Sequence, residues 1–237
     1  MDSMFEYARF KGNISKWDMS NVTSMSRMFY NCRFNGDISE WDVSNVRKMD
    51  KMFCWSDFNG NISEWDVSNV EDMRHMFCSS KFHGNISKWD VSNVEHMHGM
   101  FDRSIFNGEI NDWDVSNVKE MTEMFADSKF NKPLDKWNLK SMMDMSGMFK
   151  KSIFNKDINS WDVSNVKDMR EMFEGSKFNK DLNNWNMSNV ESTARMFKDS
   201  RFIKDISNWI LKKNCLTYEM FEHCKIRKTY KPKLNHE

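Results

Sequence analysis

Large apolar side chains recur along this chain with a single period. Trp17, Trp41, Trp65, Trp89, Trp113, Trp137, Trp161, Trp185 and Trp209 follow one another at a constant interval without a slip, and Trp55 alone lies outside the series. All 19 Phe fall in two further columns, one running from Phe5, Phe29 and Phe53 to Phe221, the other from Phe10, Phe34 and Phe58 to Phe202. The unit reads M-F-x-x-S-x-F-N-G-D-I-S-x-W-D-V-S-N-V-x-x-M-x-x, and about nine copies fill residues 1–224. Such a period is the mark of repeats that can bury their apolar faces only against their neighbours.

Within a unit the spacing changes character. Val22, Met25, Met28, Phe29 and Cys32 lie at i, i+3, i+6, i+7 and i+10, inside an arc of about 120° at 100° per residue, which predicts a short amphipathic helix. Ser20 and Asn21 precede it as cap residues, and Ser68 with Glu71, Ser92 with Glu95 and Ser188 with Glu191 match the S-x-x-E capping box. Ahead of the helix, Ile38, Trp41 and Val43 lie between a Gly36-Asp37 turn signal and the cap, which predicts one short strand. The expected fold class is therefore an α/β solenoid, LRR-like, with about nine 24-residue strand–turn–helix repeats and a parallel sheet on one face, its rungs about 4.8 Å apart. An all-β right-handed helix is the rival. The expected organisation is one repeat body over residues 1–224, whose last unit, 203–224, is a divergent C-terminal cap, followed by a basic tail at 225–237.

The segment I-x-x-W-x-V-S-N resembles the leucine-rich repeat pattern L-x-x-L-x-L-x-x-N, with Trp in place of a Leu and the Asn one place early. More closely, F-N-x-D-I-S-x-W-D-V-S-N-V-x-x-M-x-x-M-F over residues 4–224 resembles the BspA-like repeats, also catalogued as a mycoplasma-type domain of unknown function and found in bacterial surface proteins, protists and giant viruses. That resemblance implies a solenoid used for adhesion or protein binding; it does not imply a family-wide catalytic activity. This chain departs from the family unit in having one residue fewer between M-F and F-N.

Composition narrows the reading further. Lys plus Arg and Asp plus Glu balance at 35 each, for a formal net charge of zero, so no global field draws the chain to nucleic acid. The tail at 225–237 holds five basic residues and one acidic one; it offers a nucleic-acid or anionic-lipid contact, against the simpler reading of a solvated terminus. No run of about eighteen apolar residues marks a membrane span. The opening, Met1 to Phe10, lacks a basic region followed by an apolar one, so it does not read as a secretory signal and the expected location is the cytosol, with a surface or virion location following only from the resemblance. Cys32, Cys54, Cys78, Cys215 and Cys224 show neither C-x-x-C spacing nor an even count, and reduced thiols are expected.

Several columns carry candidate chemistry. The residue after Trp is Asp18, Asp42, Asp66, Asp90, Asp114 or Asp162, replaced by Asn138, Asn186 and Ile210. Local hydrogen bonding is the expected role, with a calcium-binding ladder as the sharper alternative. Asn21, Asn45, Asn69, Asn93 and Asn117 are expected, with the Trp column, to form a structural ladder. His75, His83, His96 and His98 cluster near Cys78, but His96 and His98 are i, i+2 and face apart on a helix, against zinc. Cys54 and Cys78 share a column on adjacent units, so a disulfide stands beside simple core packing.

Recognition is expected at positions that vary between units. The residue before Trp runs Lys16, Glu40, Glu64, Lys88, Asp112 and Lys136 through the first six units, and Trp55 is the one Trp outside the core column. Together these are the candidate binding residues. The expected function is a non-catalytic scaffold for protein–protein recognition without a cofactor, the partner an unidentified protein; the alternatives are an adhesin of the same fold, or weak nucleic-acid binding through the tail.

Overall fold

The computed structural model describes residues 1–233. It corrects the expected fold class. Among the described residues there is no α-helix and no strand of a sheet; the one regular element is a 3-10 helix, Lys228–Tyr230. The chain is a stack of 24-residue coils built almost entirely from turns, so neither an α/β solenoid with a parallel sheet nor the strand-and-helix unit of a leucine-rich repeat describes it. Among the described residues, strand-like pairing between coils is limited to single parallel bridges, Ser24 to Lys48, Lys48 to Asp72 and onward to Leu216.

The stretch expected to be helical shows why. Between Met49 and Ser56 the N–H groups alternate in direction. Those of Met49, Lys51, Phe53 and Trp55 donate along the stack to the carbonyls of Asp72, Arg74, Met76 and Cys78 at 2.8–2.9 Å, while those of Met52, Cys54 and Ser56 donate back to Met49, Lys51 and Phe53 at 3.1–3.2 Å. The result is three overlapping β-turns. In the first and third, the third residue has positive φ, 54° at Lys51 and 59° at Trp55, as a type II turn requires. Both left-handed positions recur in every coil, and of their occupants only Gly99, Gly147 and Gly175 are glycines. A side chain in that region costs about 1–2 kcal/mol, and in every coil but the last the hydrogen bond from that N–H to the next coil holds it there.

Geometry excludes the helix independently. Like rings in neighbouring coils lie 5.7 Å apart at Phe53 and Phe77 and 6.4 Å apart at Phe58 and Phe82, whereas packed helices need about 8–10 Å between axes. Turns closing at i+3 also return side chains to the same side every three or four residues, so the apolar spacing suits both structures. The predicted capping boxes dissolve with the helix: the Ser68 N–H binds Asp66, and Glu71 faces Arg47 of the preceding coil at 2.7 Å. The predicted strand is likewise two tight turns, closed by Trp41 N–H to Ile38 and Val46 N–H to Val43.

The aromatic columns do pile on themselves. Trp41 and Trp65 stack at 6.4 Å, nearly parallel, and from Trp41 to Trp209 the column is buried, while Trp17, at its open end, is 37% exposed. From Phe5 to Phe197 each first-column Phe bridges the other two columns: Phe53 meets Phe58 at 4.3 Å and Trp65 at 6.3 Å. Burial of each such ring contributes about 1.5–3 kcal/mol. Past the last coil, buried Ile226 and half-buried Tyr230 fold back onto the core, and the Ile206 N–H donates to the Tyr230 carbonyl at 3.0 Å. No helix among the described residues is long and apolar enough to cross a membrane.

Candidate functional site

A uniform core leaves the edges of the stack to differ from coil to coil, and three edges carry the chemistry the sequence singled out. On the first, each Asp after Trp accepts from the N–H two residues on: Asp42 takes the Ser44 N–H at 3.1 Å and its hydroxyl at 2.6 Å. Ser44 hydrogen bonds, first from the hydroxyl and then from the N–H, hold the Asp42 carboxyl below its usual range. Asn138 and Asn186 accept the same backbone bond, from Lys140 and Ser188. The column is thus a row of Asx turns. Next to it, Asn45, Asn69, Asn93 and Asn117 donate from Nδ2 to the Ser carbonyl of the preceding coil at 2.7–2.8 Å. They form a ladder on the exposed rim; Asn21, in the first coil, reaches only the Ser20 hydroxyl.

The second edge joins residues that sequence spacing kept apart. His75 and His98 meet edge to face at 4.5 Å, and Cys78 Sγ lies 3.6 Å from Asp102 Oδ2. All five cysteines are free. The two thiols perturb each other: the Cys78 thiol one coil on, together with burial, pushes the Cys54 thiol up, and the Cys54 thiol pulls the Cys78 thiol down. Burial, then the Cys78 sulfur, pushes the Asp102 carboxyl up to about 7. Among the described residues no three His, Cys, Asp or Glu side chains gather to hold a metal.

The third edge holds the candidate site. The predicted column before Trp is exposed but partly neutralises itself, Lys88 facing Glu64 at 3.6 Å and Lys136 facing Asp112 at 2.7 Å, while Lys16 and Glu40 stand at its open end. Trp55 is 54% exposed and does not border that column. It lines a groove of about 570 Å³ with Tyr7, Arg9, Arg33, Asp57 and Lys81, floored by Ala8, Asn31 and Cys32. Tyr7, Asn31 and Trp55 occupy the same left-handed turn position in three successive coils, at φ 58°, 48° and 59°. Asn suits that conformation; two exposed aromatic residues do not. The Lys81 ammonium rests 2.7 Å from Asp57, leaving Arg9 and Arg33 to set the groove's positive charge. Sequence reasoning found Trp55 but missed Tyr7, Arg9 and Arg33. The signal was available: Tyr7 lies two whole periods before Trp55, and Arg9 and Arg33 are one period apart.

Three overlapping stretches, residues 1–80, 54–153 and 127–232, match one family model, described as Mycoplasma protein of unknown function, DUF285. No curated protein and no solved structure matches the chain.

Proposed function

The chain belongs to the DUF285 family, whose description assigns no activity, and from that premise we propose that it is a non-catalytic recognition scaffold that binds a protein partner through the groove of Tyr7, Trp55, Arg9 and Arg33. One observation carries the reading. Two large aromatic residues sit exposed, at 63% and 54%, in a backbone conformation that disfavours them. Beyond the Tyr7 ring's edge-to-face contact with Tyr30 at 5.5 Å, these rings are left open to a partner, at a backbone cost that packing inside the chain does not explain. Tyr, Trp and Arg are also the side chains that dominate binding energy at protein interfaces. The finer likeness to the BspA-like surface repeats supports a second reading, an adhesin whose partner lies outside the cell; detection of the chain at the cell or virion surface would favour it.

The test is capture of partners from an extract of the source cells on the immobilised full-length chain, with and without Tyr7→Ala and Trp55→Ala. The proposal expects a small set of proteins retained by the native chain and lost by the double variant. Retention that ignores the double variant would move the site elsewhere, and turnover of a substrate by the chain would overturn the reading altogether.

A further inference from the structure

The groove is one end of a longer feature. Arg9, Arg33, Lys129, Lys177 and Arg201 occupy the position before the second Phe of a unit, Lys225 holds the same place before Ile226, and all six are exposed. None of them enters an ion pair among the described residues. In the same column Lys81 is held by Asp57, the column's one acidic member, and Ile105 and Ile153 fill the remaining places. A chain with no net charge thus keeps six cations without an ion-pair partner among the described residues along a single edge, whereas elsewhere charges such as Arg47 with Glu71 and Lys119 with Glu95 pair between coils.

The row is rigidly spaced. The N–H groups of Arg33, Lys129, Lys177 and Arg201 donate to carbonyls of the preceding coil at 3.1–3.3 Å. The rings that follow these positions stack at 6.4 Å between Phe34 and Phe58 and 6.3 Å between Phe178 and Phe202. An extended peptide rises about 3.3–3.4 Å per residue and shows alternate side chains to one side, hence one every 6.6–6.8 Å or so. That interval lies within a few tenths of an ångström of the ring spacing beside the row.

We infer that this edge binds an extended acidic segment of a partner protein, with Glu or Asp at alternate positions facing the cation row and an apolar or aromatic residue seated between Tyr7 and Trp55. The inference rests on the recognition reading above and names the partner's chemistry. Paired Arg side chains at the groove end favour carboxylates geometrically, since a guanidinium can grip both oxygens. A nucleic acid fits less well: apart from residues 225–237 the chain holds 30 basic and 34 acidic residues, and strand binding draws on a broadly basic surface.

The test uses the full chain and three fluorescein-labelled probes in polarisation assays: a 20-residue peptide alternating Glu and Thr, its Lys and Thr counterpart, and a 20-mer of thymidine nucleotides. Arg33→Glu, Lys129→Glu and Lys177→Glu together remove the row's centre. Lys48→Glu, Lys140→Glu and Lys167→Glu change net charge equally at exposed positions elsewhere. The expected result is binding of the Glu peptide alone, weakened about tenfold or more by the first triple variant and changed less than about twofold by the second. No binding of the Glu peptide, equal loss in both variants, or preferential binding of the oligonucleotide would overturn the inference. If partner capture still depends on Tyr7 and Trp55 while the Glu peptide fails, the recognition reading stands and this inference falls; loss of both removes both.

Discussion

The indole N–H of Trp113 donates to the carbonyl of Ile86, 27 residues earlier, at 3.1 Å. The same carbonyl closes its own coil's turn by accepting the Trp89 N–H at 3.2 Å, so one oxygen serves two coils. The bond repeats from Trp41 to Trp209, each indole tied to the Ile or Leu carbonyl of the coil before. It explains why Trp, rather than another large apolar residue, fills the column. Trp113→Phe keeps most of the packing and leaves the Ile86 carbonyl its turn bond, so a loss of about 1–2 kcal/mol is expected. Trp113→Ala adds a cavity and is expected to cost about 3–5 kcal/mol. Urea unfolding of the two variants measures both; a Trp113→Phe variant as stable as the native chain would remove the hydrogen bond's role.

Trp55 separates stability from recognition. Its backbone is left-handed and its ring is largely exposed, and Asn31 holds the same position one coil earlier. Trp55→Asn is therefore expected to leave the melting temperature unchanged or raise it by about 1–3 °C, while partner binding weakens. A clear fall in melting temperature would mean that the ring belongs to the fold.

The Asx-turn column makes a prediction about acid and about calcium. At Asp114, hydrogen bonds from the Ser116 hydroxyl and then its N–H hold the carboxyl below its usual value. A lowered folded pKa means that the contribution is present above the unfolded value, 3.8, and is lost as pH falls below it. Asp114→Asn keeps the backbone bond, as Asn138 does naturally, and should melt with the native chain at pH 7. Asp114→Ala should melt about 2 °C lower. Millimolar calcium should leave the native melting curve in place; a rise abolished by Asn substitution along the column would restore the cation reading.

Asp102 has the opposite sign. Its pKa of about 7, raised by burial and by the Cys78 sulfur, means the folded chain holds this proton more tightly than the unfolded one. Stability should therefore fall as pH rises from about 4 to about 7, in the window between the two pKa values. Asp102→Asn should flatten that slope and gain on the order of 2 kcal/mol at pH 8. Denaturant titrations at pH 5 and pH 8 decide it, and an unchanged slope in the variant would place the effect on another group.

Much of the core was legible in the sequence, because it depends only on register. Trp41, Phe53 and Phe58 stand above their copies one period on, and no knowledge of backbone conformation was needed to expect that. The backbone was not legible. Met49, Met52 and Phe53 meet the spacing of a helical stripe, yet the same spacing arises when turns close at i+3 and every second N–H reaches into the next coil. A 24-residue period accommodates a strand and a helix as readily as turns, so the distinction came only from the structure, where rings repeat at 5.7 Å and 6.4 Å, closer than packed helices allow. At the site, Trp55 stood out as an exception, while Tyr7, Arg9 and Arg33 become visible only when the period is applied to exposed positions as well as apolar ones.

The account stands or falls on where one amide points, and through-hydrogen-bond NMR couplings on the isotopically labelled chain read that directly. The Phe53 N–H donates to the carbonyl of Met76, in the next coil, at 2.9 Å, so a coupling between the Phe53 nitrogen and the Met76 carbonyl carbon is expected, repeated between Phe77 and Met100. A coupling from Phe53 to Met49, one helical turn back in its own coil, would mean a helix after all and would contradict the stack of turns.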